Sequence, residues 1–251
     1  MKTTCTLACV AGLVAGALLP AHVFAQVGGL VQEYRQGTVV LTSGDTLRGP
    51  LKLYLDRDVL LVTMPDSTVR TVAAVAVRTF AVRGAVLPYG TSLPSARTAL
   101  PARVRRFRQG PLRARPFLVY HWNHDKASDY TSPAFFERLN GGPVVLLRRR
   151  FLVRRSVSQS DAYGYPATYY RPRVPAPRIS YLDVSDWYYL GTPEGQVVAL
   201  RRPRRDLLGY FQAEAAQLEA YAEEHKLSFD ADHDLARLVD YANALRQGPA
   251  Q

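Results

Sequence analysis

Between Gly37 and Val82 the sequence alternates short Val- and Thr-rich runs with turn residues about every eight to ten positions, and this spacing constrains the fold more than any other feature. The runs are Gly37–Thr42, Thr46–Tyr54, Val59–Met64, Thr68–Ala73 and Val75–Val82, with Ser43-Gly44-Asp45 and Pro65-Asp66-Ser67 as turns. β-Branched side chains pack well on a pleated surface, while Gly, Asp, Ser and Pro supply the backbone conformations that tight turns need. The pattern predicts a β-meander, and short strands at this spacing point to a small barrel or a strongly bent sheet.

Downstream, the composition changes. Residues 91–116 intersperse Pro94, Pro101, Pro111 and Pro116 among seven arginines and read as a linker. Phe117–Trp122 is a predicted strand, Pro133–Leu139 a short helix or turn, and Val144–Arg155 a second strand. Alternation along it places Val145, Leu147, Phe151 and Val153 on one face and Arg148, Arg150 and Arg154 on the other. Arg149 and Leu152 break that pattern. Residues 158–178, rich in Ser, Tyr, Pro and Arg, have no period and read as a mobile loop. Asp186–Leu190 and Gln196–Arg201 form a hairpin around Thr192-Pro193-Glu194-Gly195. Leu207, Phe211, Ala215, Leu218 and Ala222 recur at helical spacing, as do Leu235, Leu238, Val239, Ala242 and Leu245, which predicts an antiparallel helical pair with Asp232 as the second N-cap.

The fold class is therefore α+β: an N-terminal small barrel or bent sheet, further hairpins, and a C-terminal helical pair. The expected organisation is a signal peptide (1–25), a β-rich domain (26–90), the linker (91–116), a basic β region (117–202) containing the loop, and the helical pair (203–251).

The signal peptide is read from Lys2, the apolar run Leu7–Leu19 and the small-residue site Val23-Phe24-Ala25. Cleavage would leave Gln26 as the first residue, and an uncleaved membrane anchor is the alternative. Cys5 and Cys9 lie inside the removed segment, so a cleaved chain has no thiol for a disulfide, a nucleophile or a zinc site. Past residue 25 the longest apolar runs, Val59–Met64 and Val72–Val77, fall far short of the roughly 20 residues a spanning helix needs. Export places the protein in the periplasm, on the outer membrane or outside the cell.

The formal charge of +11 is unevenly spread. Residues 1–102 carry 9 basic and 5 acidic groups, residues 103–205 carry 20 and 7, and residues 206–251 carry 3 and 9. The middle block reads either as a polyanion-binding surface or as a basic sheet covered by its own acidic helices. For an exported protein the polyanion would be envelope lipid or polysaccharide, another envelope protein is the alternative partner, and nucleic acid is disfavoured. Candidate binding residues are Arg148, Arg150 and Arg154 on the strand, with Tyr169, Tyr170, Arg171 and Arg173 in the loop, whose flat aromatic and guanidinium faces can stack on sugars or bases.

Catalytic signals are sparse. His121-Trp122-Asn123-His124-Asp125 holds metal-ligand residue types, but two histidines three apart converge most easily on a helix and these follow a strand. Asp183 and Asp186 could form the carboxylate pair of a glycoside hydrolase, though a turn before a hairpin accounts for both. No G-x-S-x-G elbow, P-loop or dinucleotide fingerprint occurs. No metal or cofactor is assigned.

The stretch Gly37-Thr-Val-Val-Leu-Thr-Ser-Gly-Asp-Thr-Leu-Arg-Gly49 resembles the start of exported proteins of unknown function common in Bacteroidetes. The chain end is similar to them as well: an aromatic strand, Asp186-Trp-Tyr-Tyr-Leu190, a strand ending in arginines, and helices closing near Tyr241-Ala242-Asn243. That resemblance implies export and architecture, with no activity. Val39–Gly44, Leu47–Leu51 and Val82-Arg83-Gly84 also resemble the strands of Sm-like and SH3-like small barrels. The Asp and Asn that read RNA bases in Sm proteins have no counterpart around Tyr54–Val59.

The leading reading is a non-enzymatic exported protein with an envelope-associated binding or structural role. The second is a metal-dependent or carboxylate-based hydrolase built around His121, His124 and the nearby aspartates.

Overall fold

The computed structural model describes residues 30–86, 114–124, 129–158 and 178–247. The expected signal peptide with Cys5 and Cys9, most of the expected linker, Asp125, and Tyr169, Tyr170, Arg171 and Arg173 lie outside the described residues.

The meander forms where the alternation and turns place it. Its strands are β1 (Val31–Leu41), β2 (Thr46–Tyr54), β3 (Val59–Thr63), β4 (Val69–Ala73) and, after a single 3-10 turn at Ala74–Ala76, β5 (Val77–Val86). β6 (Arg115–Trp122), β7 (Ser132–Arg138), β8 (Val145–Ser158), β9 (Arg178–Gly191) and β10 (Val197–Leu200) follow. All ten join one sheet in the order β10-β9-β8-β7-β6-β5-β1-β2-β3-β4, and every neighbouring pair is antiparallel.

The expected N-terminal barrel is corrected by this topology: the sheet is open. β5 pairs with β1 on one side and β6 on the other, so the ladder runs on into the downstream strands where a barrel would have to close on β4. The sheet is nevertheless strongly coiled, because Asp58, between β2 and β3, accepts a hydrogen bond from the Phe135 N–H of β7, although β6, β5 and β1 intervene in strand order. The coil encloses a first core of Tyr34, Val39, Leu51, Leu53, Leu60, Val62, Phe80, Phe117 and Phe135. Phe80 and Phe117 stack at 4.5 Å across the β5–β6 ladder, and Phe135 meets Phe80 edge-on. Gly49 lets β2 pass the third strand, since a Cβ there would overlap the Thr63 carbonyl oxygen.

Pro133–Leu139 is also corrected: a strand stands where a short helix or turn was expected. Ala134, Phe135, Phe136 and Glu137 are all buried, because alternate residues of β7 enter different clusters. A strand covered on both faces shows no alternation in its sequence.

The C-terminal segment forms three helices: α1 (Pro203–Tyr210), α2 (Ala215–Glu224) and α3 (Asp232–Gln247). The first member of the expected pair is thus broken at Phe211, where the chain makes a 3-10 turn through Gln212–Glu214. Leu207, Phe211, Leu218, Leu235 and Leu238 are fully buried against Val144, Leu146, Leu190 and Leu200 of the sheet. The apolar stripes of the helices therefore cover one face of β8–β9–β10. The opposite face of these strands, with Val145, Leu147 and Tyr189, packs on Trp122 and Phe136 in a third cluster. Asn243 of α3 completes the docking by clamping the Val144 backbone, accepting from its N–H at 3.1 Å and donating to its carbonyl at 2.8 Å.

Candidate functional site

The buried charged residues of β6–β8 form two clusters. The first is centred on Glu137 of β7. Arg115 of β6 donates to it through Nε (2.7 Å) and Nη2 (2.5 Å), and Arg148 of β8 reaches it through Nε and Nη2 at 2.9–3.1 Å. Antiparallel pairing produces this geometry, because Glu137 lies directly opposite Arg148 in the ladder. Arg148 also donates a short hydrogen bond to the Asp232 carboxylate in the first turn of α3, and Arg115 reaches the Tyr34 hydroxyl at 3.0 Å. Arg150 is paired with Asp186 of β9 at 3.0 Å. The chain of contacts runs from β1, through the middle of the sheet, to the start of α3.

Its electrostatics favour permanent charge. Burial alone would raise the Glu137 carboxyl, but the Arg115 hydrogen bonds and the charges of Arg148, Arg115 and Arg150 outweigh it and hold the pKa at about 2. Burial pushes the Tyr188 hydroxyl upward, and the Asp232 and Asp186 charges add to that shift. Burial lowers Arg150, assisted by the like charges of Arg148 and Arg115. A carboxylate held that low does not exchange protons near neutral pH, so this cluster is suited to cohesion rather than acid–base chemistry.

The second cluster lies on the other face of β8. Beyond Glu137 and Arg138 the β7–β8 ladder ends, leaving Phe135 backbone groups to find partners elsewhere. Its N–H donates to Asp58 at 2.8 Å and its carbonyl accepts from Arg149 at 2.8 Å. Arg149 grips both Asp58 oxygens at 2.8 and 3.0 Å and also donates to the Leu55 carbonyl. Its guanidinium lies 4.9 Å from the Trp122 ring centre. Arg149 is 3% exposed. This residue broke the alternation of its strand in sequence, and that irregularity was the only local signal of a buried ion pair.

The sequence-predicted sites fare unevenly. Arg148, expected on an outward basic face, is 2% exposed and committed to Glu137 and Asp232. Arg150 is partly buried on Asp186, and Arg154 is exposed further along β8. Asp183 and Asp186 stand three apart on a strand, hence on opposite faces, and pair separately with Arg155 and Arg150. They do not converge as a hydrolase would need. His121 is exposed, while His124 packs against Trp122 at 4.5 Å and shares a 2.7 Å hydrogen bond with Ser132. Among the described residues, no group of three His, Cys, Asp or Glu side chains is placed to hold a metal ion.

Two shallow grooves of about 380 and 350 Å³ meet at Pro203 and Asp230. Arg201, Arg202, Arg204 and Arg205 stand around them. Asp186 and Asp230 also line them, Arg204 is paired with Glu219, and Asp206 accepts from the Arg202 backbone N–H. Arg201 covers the Trp187 ring at 4.3 Å. No helix of the described residues is long and apolar enough to cross a membrane. No protein-family model matches the chain, and comparisons with curated proteins and with solved structures likewise return no match.

Proposed function

We propose that the protein is an exported, non-enzymatic factor with a binding or structural role at the cell envelope. The observation that carries this reading is the Arg115–Glu137–Arg148–Asp232 chain. Among the described residues, Arg115, Arg148, Arg149 and Arg150 are spent on the protein's own carboxylates, and Arg148 joins the sheet to the helices. That supports a rigid body presenting a surface, and it favours the reading in which the acidic helices cover the basic middle block. Export rests on Lys2, the Leu7–Leu19 run and the Val23-Phe24-Ala25 site.

Fractionation of producing cells followed by intact-mass measurement tests this. The expected product is an envelope-fraction protein spanning Gln26–Gln251, with or without loss of ammonia from Gln26. A cytosolic protein retaining Cys5 and Cys9 would overturn the reading.

A further inference from the structure

The face of β1–β5 turned away from the first core brings exposed cations and exposed valines together. Leu47, Leu51, Leu53, Leu60, Val62 and Val82 point inward, so alternation sends the intervening residues outward. On one half of this outer face stand Arg48 and Lys52 of β2 and Arg83 of β5, all exposed. The register shift between Tyr34 and Gly37 adds Arg35, whose side chain lies beside Gly84, next to Arg83. A bulge thus places a further cation where a regular ladder would have one residue fewer. Glu33 is the acidic side chain on these strands, and it is held by Lys52 at 2.8 Å. The other acids of this region, Asp45, Asp56 and Asp66, sit in the connecting turns, and Asp58 is buried.

The other half of the face mixes apolar side chains with Thr63 and Thr71. β3 presents half-buried Val59 and Leu61, and the edge strand β4 presents Val69, which is 58% exposed. Val75, just past the end of β4, is 70% exposed. Cations and apolar side chains adjoin on this surface, since Lys52 stands directly opposite Leu61 in the β2–β3 ladder, while Val69 and Val75 mark the two ends of the β4 edge.

We propose that this outer face docks on an anionic lipid bilayer. The inference rests on the envelope-associated reading above and names its partner. Charge complementarity argues for an anionic partner, since the strand-borne charge of the face is overwhelmingly positive. The adjoining valines argue for a bilayer over a soluble polymer: a polyanion offers nothing to an exposed Val, whereas the headgroup–acyl boundary accepts apolar side chains beside phosphate-paired cations. Arg and Lys stems lie along apolar surface while their charged ends reach the headgroups.

The test is co-sedimentation of the protein, as purified from its producing cells, with phosphatidylcholine vesicles with and without about one third phosphatidylglycerol, at low and high salt. Binding is expected only to the anionic vesicles and should fall as salt rises. Arg48→Glu with Arg83→Glu should weaken it at least about ten-fold. Val69→Ser with Val75→Ser should weaken it several-fold and leave the salt dependence in place. All four positions are exposed, so thermal melting of the variants should match the parent and confirm that they fold. Absence of vesicle binding, or equal binding by the charge-reversed variant, overturns the proposal. Retention on soluble alginate without vesicle binding also overturns it and assigns the face to an acidic polysaccharide. An exported, cleaved protein that ignores vesicles loses this surface alone, whereas a protein that is never exported loses the reading beneath it.

Discussion

Asp58 and Arg149 illustrate how much a single buried charge depends on its partner. Removing one member of such a pair leaves the other desolvated and uncompensated, which typically costs about 3–5 kcal/mol. Arg149→Ala should therefore lower stability by roughly that amount, while Arg154→Ala on the exposed stretch of the same strand should change it by about 0.5 kcal/mol or less. Urea denaturation of the two variants checks the contrast. Glu137 makes a second prediction, with pH as the variable. Its folded pKa, about 2, lies below the ordinary glutamate value of 4.5, so the folded state binds its proton less readily than the unfolded chain. The stability it contributes is present above the unfolded value and is lost as pH falls through the folded one. A shift of that size corresponds to on the order of 3 kcal/mol. Denaturation midpoints of the parent should drop between about pH 5 and pH 2, and Glu137→Gln should start lower at pH 7 and show a flatter profile. The Asp58–Arg149 pair is not legible in the sequence, because the two are 91 positions apart and each has a bland local role, one in a turn and one as a fault in an alternating strand.

At the level of elements, legibility followed exposure. The meander was readable because its strands have one wet face, so Val and Leu alternate with Thr, Arg and Lys, and its turns are marked by Gly, Asp and Pro. β7 shows no strand signature in the sequence because both of its faces are dry. The helical stripe was readable from Leu207 to Leu245, yet the break at Phe211 was not, since it depends on contacts across the fold: the Arg246 guanidinium lies 4.3 Å from the Phe211 ring and donates to the Tyr210 carbonyl. Phe211→Ala should cost about 3–5 kcal/mol, as expected for truncating a fully buried aromatic. Glu219→Ala, which removes only a solvent-exposed partner of Arg204, should cost about 0–1 kcal/mol. Thermal unfolding of the two variants would expose any error in that ranking.

For the molecule as a whole, the helices are a wall of a core. Truncation before Arg202 would strip the cover from Val144, Leu146, Leu190 and Leu200 and take Asp232 away from Arg148. The truncated chain should bind a hydrophobic dye and lose cooperative melting, and a cooperative, dye-silent product would show that the sheet stands alone. The strand order carries a different consequence. Among the described residues only the β1–β5 pairing joins strands that are not consecutive in the chain. As the polypeptide emerges N-terminus first, strands β1 to β5 can close first, and each later strand then adds to the edge left by its predecessor. Growth is one-directional, because the far edge is the five-residue β4, which the chain has already passed. From β6 onward every nascent intermediate carries a raw, hydrogen-bond-hungry edge, and that exposure ends only when β10 and the helices are made. A chain halted between β8 and β9 would be held with a fourteen-residue strand waiting for its mate.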